Sequence, residues 1–171
     1  MTMSKLTDFI NILNQDFISK DSFLSEPEAK MRINLNKQGC KSFIFVLDQK
    51  LSKDYKGGMF PFFNKSLKKV CKVCDYIIFA EKDGKLYSLV IELKKKQTTC
   101  NSQLDAGICF TNYIKDTVNR VNKKDYSLTI RKVVINRFKG KNTTKYNGIS
   151  YDLNGKAFFS SQTFFLKEFL K

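Results

Sequence analysis

Asp75, Glu92 and Lys94 are the side chains whose types and spacing suit catalysis, and the chemistry they suit needs no imidazole. The 171 residues include no histidine, which excludes Ser-His-Asp and Cys-His triads, a histidine general base and histidine metal ligands. Acid–base or metal chemistry therefore falls to carboxylates, Lys, Tyr, Cys and bound ions. Residues 73–96 read VCDYIIFAEKDGKLYSLVIELKKK, two apolar runs around Asp83-Gly84, a strong signal for a two-residue hairpin turn. That turn sets Lys82 opposite Lys85, and the same register continued along both runs sets Asp75 opposite Glu92. Opposed positions hold their Cβ atoms about 4.5–5.5 Å apart, and Lys94, two residues beyond Glu92, shares its face.

Like charges opposed on two strands destabilise the pair unless a proton, a cation or a lysine offsets them. Mg²⁺ or Mn²⁺ would do so, since carboxylate oxygens suit both. Such an ion lowers the pKa of a bound water and neutralises charge on a phosphoryl oxygen, which allows phosphodiester hydrolysis without histidine. Lys94 would orient the attacking water or stabilise the pentacovalent charge. Spacing alone carries little weight here, because an acid two residues before a lysine also occurs at Glu28/Lys30, Asp48/Lys50, Asp54/Lys56 and Asp83/Lys85. Glu92/Lys94 differs in closing an apolar strand, where a charge is expensive, and in facing Asp75. The competing structural reading is a strand-end salt bridge between Glu92 and Lys94, with Asp75 solvated.

The elements that would position these residues follow from periodicity. Leu6, Phe9, Ile10, Leu13, Phe17 and Ile18 recur at helical spacing, which predicts an amphipathic helix over 5–19. Residues 25–39 are polar and ambiguous; 42–48 (SFIFVLD) reads as a strand, and Gly57-Gly58 with Pro61 as an irregular loop above Met59, Phe60, Phe62 and Phe63. After the hairpin, Leu104, Ile108, Ile114 and Val118 define a helix over 101–119, capped by Thr98, Thr99 or Asn101. Residues 127–138 form a further strand, and the remainder adds one strand or hairpin and a short helix from about 163. This order implies an α/β fold with a mixed sheet, in a single domain whose core spans about 6–138 and whose basic loop and C-terminal extension span 139–171.

Asp75, then Glu92-Leu93-Lys94 after sixteen intervening residues, on a hairpin between an N-terminal helix and strand and a following helix and strand, resembles the PD-(D/E)xK nuclease superfamily. The resemblance covers residues 6–138 as an order of elements and three residues as a motif. It implies a restriction-endonuclease-like α-β-β-β-α-β core with a mixed central sheet flanked by helices, one or two divalent ions, Mg²⁺ or Mn²⁺, and cleavage of DNA more than RNA. It further implies Asp75 and Glu92 as metal ligands, the backbone carbonyl of Leu93 as another, and Lys94 as the catalytic lysine. Many members add a glutamate from the first helix, a place that Glu28 or Glu26 would take. Cys74 stands where the motif has proline, and Gln103 matches a glutamine found after the lysine in some members, although Gly107 replaces the tyrosine four residues on.

The charge agrees with a polyanionic partner. The chain carries 31 Lys+Arg against 16 Asp+Glu, a formal +15; residues 1–64 hold 9 basic and 7 acidic side chains and residues 65–171 hold 22 and 9, so +13 of the charge falls in the second part. A Lys bias, 27 Lys to 4 Arg, is the bland account, but it does not explain the concentration. Residues 131–151 contain Arg131, Lys132, Arg137, Lys139, Lys141 and Lys145 and no acid, a stretch suited to tracking phosphates. Lys95, Lys96 and Gln103 adjoin the hairpin from one side, and Lys65, Lys68, Lys69 and Lys72 from the other. Tyr146 and Tyr151 are candidates for stacking on bases.

Cys71 and Cys74 form a CxxC with Cys100 and Cys109 downstream, which reads as buried free thiols or as a zinc or iron–sulfur site. The sixteen phenylalanines read as core, with the terminal FFSSQTFFLKEFLK as a packing or dimer-forming face. The first ten residues include Lys5 and Asp8 and have no signal-peptide pattern, which suits a cytoplasmic protein without a membrane partner. A metal-dependent nuclease acting on nucleic acid, and as a homodimer where it cuts both strands, is the leading expectation. A non-catalytic basic nucleic-acid-binding module with a degenerate nuclease fold, or a protein-interaction subunit docking through its C-terminal aromatics, are the others.

Overall fold

A computed structural model describes residues 4–47, 60, 62–64, 66–95, 100–137 and 148–171. From the N-terminus run α1 (Lys5–Ile12), a 3₁₀ turn at Gln15–Phe17, β1 (Ile18–Ser19), β2 (Phe23–Glu26), β3 (Met31–Asn36) and β4 (Lys41–Val46). They are followed by β5 (Tyr76–Lys82), β6 (Lys85–Lys94), α2 (Asn101–Asn122), β7 (Thr129–Asn136), β8 (Lys156–Phe159), β9 (Thr163–Phe165) and α3 (Leu166–Phe169).

The hairpin forms as its turn chemistry requires. Asp83 (φ 51°) and Gly84 (φ 72°) both adopt left-handed backbone, the conformation of the tight turn that matches strand twist, and Lys82 pairs with Lys85. β5 pairs with β4 and β6, antiparallel to both. The 22 residues of α2 then carry the chain back over the sheet, so that β7 pairs parallel to β6. The result is a mixed six-stranded sheet in the order β1-β4-β5-β6-β7-β8, beside a three-stranded sheet in the order β2-β3-β9.

Each face of the large sheet has its own core. On one, Leu6 and Phe9 of α1 and Leu104, Ile114 and Val118 of α2 cover Phe43, Phe79, Val90 and Val134. On the other, Met31, Ile33, Leu35, Phe164 and Phe169 cover Ile78, Leu89, Ile91, Val133 and Ile135. Each such fully buried side chain contributes about 1.5–3 kcal/mol. The expected sheet with helices on both sides is thus a sheet with α1 and α2 on one face and the small sheet with α3 on the other. α2 lies close because Gly107 has no side chain: a Cβ there would stand 2.4 Å from Val90 Cγ1 and 2.7 Å from Cys74 Sγ.

Several expectations need correction. The first helix ends at Ile12, where Leu13 turns extended and the Asn14 side chain accepts the Asp16 N–H to open the 3₁₀ turn; Phe17 and Ile18 remain against the core from that turn and from β1. The polar stretch 25–39 contains a hairpin, with Met31, Ile33 and Leu35 buried and Arg32, Asn34 and Asn36 exposed. The C-terminal helix is four residues long, because Thr163–Phe165 is taken up as a strand parallel to β3. The C-terminal extension is integral, supplying one strand to each sheet. Of the two readings of its aromatics, packing describes Phe159, Phe164 and Phe169, which are buried against one another. Phe62, Phe63 and Phe158 are exposed, so the phenylalanines are not all core. Cys100 is the N-cap of α2 and makes no side-chain cap bond; Thr98, Thr99 and most of the loop 48–61 lie outside the described residues. Among the described residues, no helix is long and apolar enough to cross a membrane.

Candidate functional site at the open end of the hairpin

β6 is buried along nearly its whole length and ends in Glu92-Leu93-Lys94. β5 starts at Tyr76, opposite Ile91, so Asp75 stands one step before the ladder, beside Glu92. The two acids do not simply face each other: Asp75 Oδ2 accepts the backbone N–H of Leu93 at 2.6 Å. This bond extends the hairpin past its last strand pair and fixes the carboxylate. Lys94 Nζ donates to Glu92 Oε1 at 2.5 Å. The salt-bridge reading is therefore right about Glu92 and Lys94, but Asp75 is not solvated: it is 8% exposed, and Glu92 is 3% exposed.

Burial, and then the charge of Glu92, push the Asp75 carboxyl up to about 7; Glu26 adds to the rise, while the Leu93 N–H and Lys94 oppose it. Burial pulls the Lys94 ammonium down, but its hydrogen bond and attraction to Glu92 outweigh that and hold it above the usual lysine range. Burial, with Glu92 second, also raises the Cys100 thiol. The centre thus holds two carboxylates against one fixed cation, with the Asp75 carboxyl titrating near neutrality.

The β2–β3 turn closes one side. Tyr76 Oη accepts the Ser25 N–H at 3.0 Å and donates to the Ser25 carbonyl at 2.7 Å, a two-point clamp between the neighbours of Asp75 and Glu26. Glu26 Oε1 accepts the Glu28 N–H at 3.1 Å. Both glutamates line a cleft of about 510 Å³ together with Asp75, Glu92, Lys94 and Gln103. Glu26 and Glu28 reach it from a strand end and a turn, not from the first helix. Leu93, Lys95, Lys72 and Cys71 also line it.

The donor set is hard carboxylate oxygen, which fits Mg²⁺ or Mn²⁺, and a cation there would offset both the burial of Asp75 and its repulsion from Glu92, which raise its carboxyl. Among the described residues no group of three or more His, Cys, Asp or Glu side chains is placed to hold an ion. An ion here would rely on Asp75 and Glu92, with backbone oxygen and water completing its shell. The same result leaves Cys71, Cys74, Cys100 and Cys109 without the arrangement of a zinc or cluster site; Cys74 and Cys100 are buried, Cys71 and Cys109 exposed, and none of the five cysteines is in a disulfide.

Not every expected basic residue converges. Arg137 sits beside the site, its backbone N–H donating to the Lys94 carbonyl at 3.0 Å. Arg131 is engaged elsewhere, packed over the Tyr151 ring at 5.0 Å and donating to the Lys171 carbonyl. Tyr151 is a packing residue whose hydroxyl donates to the Phe169 carbonyl, and Lys132 pairs with Asp105 at 2.8 Å. Lys65, Lys96, Lys139, Lys141, Lys145 and Tyr146 lie outside the described residues. Sequence reasoning missed Tyr76, which acts through a partner 51 positions away and which nothing local marks; it singled out Cys100 as a thiol or metal ligand, not as a neighbour that feels Glu92 and Lys94. The chain matches no protein-family model, and no curated protein and no solved structure gives a significant match to it.

Proposed function

We propose that the protein is a divalent-metal-dependent nuclease of PD-(D/E)xK type, with Asp75, Glu92 and Lys94 at its centre. One observation carries this: two buried carboxylates and a lysine meet at the end of an apolar hairpin, in a cleft open to a ligand. Isolating such charges from water costs several kcal/mol per ion unless they are compensated, and packing alone does not call for them. α1, β4, β5, β6, α2 and β7 follow one another in the α-β-β-β-α-β order of a restriction-endonuclease-like core, with β1–β3 inserted after α1, which supports the same reading.

Asp75 and Glu92 would hold Mg²⁺ or Mn²⁺, whose chemistry is to acidify a bound water and neutralise a phosphoryl oxygen. Asp75 must first lose its proton, which its position near pH 7 permits. The Leu93 N–H keeps that carboxylate oriented. Glu92 keeps Lys94 protonated and aimed at the cleft, where the ammonium donates to a phosphate oxygen and stabilises charge that grows in the transition state. Lys72 and Lys95 line the cleft with positive charge for the phosphate backbone, and Arg137 adjoins Lys94 through its backbone, DNA being the expected substrate ahead of RNA. Incubation of plasmid, single-stranded DNA and RNA with Mg²⁺ or Mn²⁺ tests this: wild type cleaves, and Asp75→Ala, Glu92→Ala and Lys94→Ala do not. Cleavage that survives all three changes rules the assignment out. The Glu92–Lys94 pair favours one other reading, a non-catalytic nucleic-acid-binding module whose centre is neutralised internally. It predicts salt-sensitive binding and no cleavage with any metal.

A further inference from the structure

Exposed aromatic rings lie on the helix that carries the cleft-lining Gln103 and on the segment before the cleft-lining Cys71 and Lys72, on residues that the proposed centre does not use. Phe62 is 75% and Tyr113 68% exposed. Phe60 connects them, 6.2 Å from the Phe62 ring and 6.3 Å from that of Phe110, which in turn lies 6.4 Å from Tyr113. Phe110 also stacks on Phe45 at 5.9 Å, which anchors the patch to the core. Clustered exposed apolar groups mark an interaction site more often than scattered ones do.

Two features indicate what docks there. Residues 60–74 contain four lysines and no acid; Lys68 and Lys69 are exposed, and Lys72 lines the cleft. On α2, Gln103, Ala106, Phe110 and Tyr113 follow at spacings of three and four and share one face. At 1.5 Å per residue, Phe110 and Tyr113 stand about 10 and 15 Å along the helix from the cleft-lining Gln103. Asp116, one turn beyond Tyr113, is paired with Lys115 at 3.0 Å. Positive charge and open ring faces therefore run outward from the cleft together. A second copy of this chain is a poor occupant, since pairing across the patch would bring two lysine-rich segments into contact.

We propose that this surface binds unpaired nucleotides, so that the protein engages single-stranded nucleic acid; the proposal deepens the nuclease reading and rests on it for the role of the cleft. Lysines take the phosphates, and Phe62 and Tyr113 stack on bases whose faces a duplex would keep covered.

The test is fluorescence anisotropy of the full chain in EDTA, with one labelled oligonucleotide offered single-stranded and as a duplex. Wild type binds the single strand more tightly. Phe62→Ala and Tyr113→Ala each weaken that binding by about 5- to 150-fold, the range that loss of one stacked base gives. Duplex affinity is unchanged, and Tyr113→Phe retains single-strand binding. Equal affinity for both forms, or single-strand affinity indifferent to both ring removals, overturns the proposal. So does Phe62→Ala that converts a dimer to a monomer without changing single-strand affinity, which would assign the patch to self-association. Cleavage in Mg²⁺, measured separately, distinguishes the two readings. Ring-dependent single-strand binding without hydrolysis defeats the nuclease reading alone, and metal-dependent duplex cleavage without ring dependence defeats this one alone.

Discussion

The β5–β6 hairpin carries the same acid-x-lysine pattern at both ends, Asp83-Gly84-Lys85 at its turn and Glu92-Leu93-Lys94 at its opening. At the turn, Asp83 and Lys85 are exposed and the acid serves backbone geometry, holding φ at 51°. At the opening, Glu92 is buried with Lys94 bonded to it, and a second buried carboxylate, Asp75, is tied to the strand between them. A second cleft, of about 440 Å³, lies beside the turn and is lined by Glu81, Asp83, Lys82 and Lys167. Its acid Glu81 accepts the Ser4 hydroxyl, and Lys82 donates to the Leu170 carbonyl. Charged groups and a cleft occur at both ends; desolvated, mutually opposed charge occurs only at the opening. Spacing is uninformative until burial gives the charges a cost.

The largest expected effect sets the two ends directly against each other. In a metal-dependent cleavage assay, Glu92→Gln and Lys94→Ala lower the rate at least about 100-fold, the loss typical of one transition-state electrostatic contact. Asp83→Asn and Lys85→Ala leave it within about twofold.

Next in size is the pH dependence of stability without metal. The folded Asp75 carboxyl lies near 7 against 3.8 unfolded, so between these values the folded state holds the extra proton. Stability is then full below about pH 4 and falls as pH rises through about 7, by on the order of 2–4 kcal/mol. Asp75→Asn, which still accepts the Leu93 N–H, removes that fall and melts above wild type at pH 8. Asp83→Asn leaves the wild-type profile intact. Thermal unfolding from pH 4 to 8 checks all three.

Two glycines differ in the same way. Gly107→Ala drives a methyl into Val90 and Cys74 and costs about 1–3 kcal/mol. Gly84→Ala meets open space but keeps a positive φ, at about 1 kcal/mol. Chemical denaturation distinguishes them, and only the first also disturbs the strand that carries Glu92. Tyr76→Phe costs as little as Gly84→Ala, losing the bonds to Ser25 for about 1 kcal/mol, and speeds hydrogen exchange at the Ser25 amide.

What could be read in the sequence was local or followed from register. Asp83-Gly84 set the turn, the turn set the pairing, and the pairing brought Asp75 to Glu92. The mixed sheet followed from a helix between the hairpin and a further apolar strand, and β7 returns parallel to β6. The β2–β3 hairpin was hidden because Asn34 and Asn36 are poor strand formers, even though Met31, Ile33 and Leu35 alternate with polar neighbours. The Tyr76–Ser25 clamp, the capture of Arg131 by Tyr151 and Lys171, and the pairing of β9 with β3 depend on partners far along the chain, which no short window contains. Glu26 reached the cleft through that clamp rather than along the first helix. The exposed Phe62 and Tyr113 ran against composition, since aromatics default to the core.

On the proposed function, the opening of the hairpin holds a divalent ion and its turn does not. Calorimetric titration of Mn²⁺ into the protein at pH 8 addresses it most directly, with Asp75→Asn, Glu92→Gln and Asp83→Asn alongside wild type. Wild type and Asp83→Asn then show a saturable site that is lost in the other two variants. In wild type its affinity falls about tenfold per pH unit below 7, as Mn²⁺ competes with the Asp75 proton. Saturable binding unchanged by Asp75→Asn and Glu92→Gln, or no binding by wild type, would contradict it.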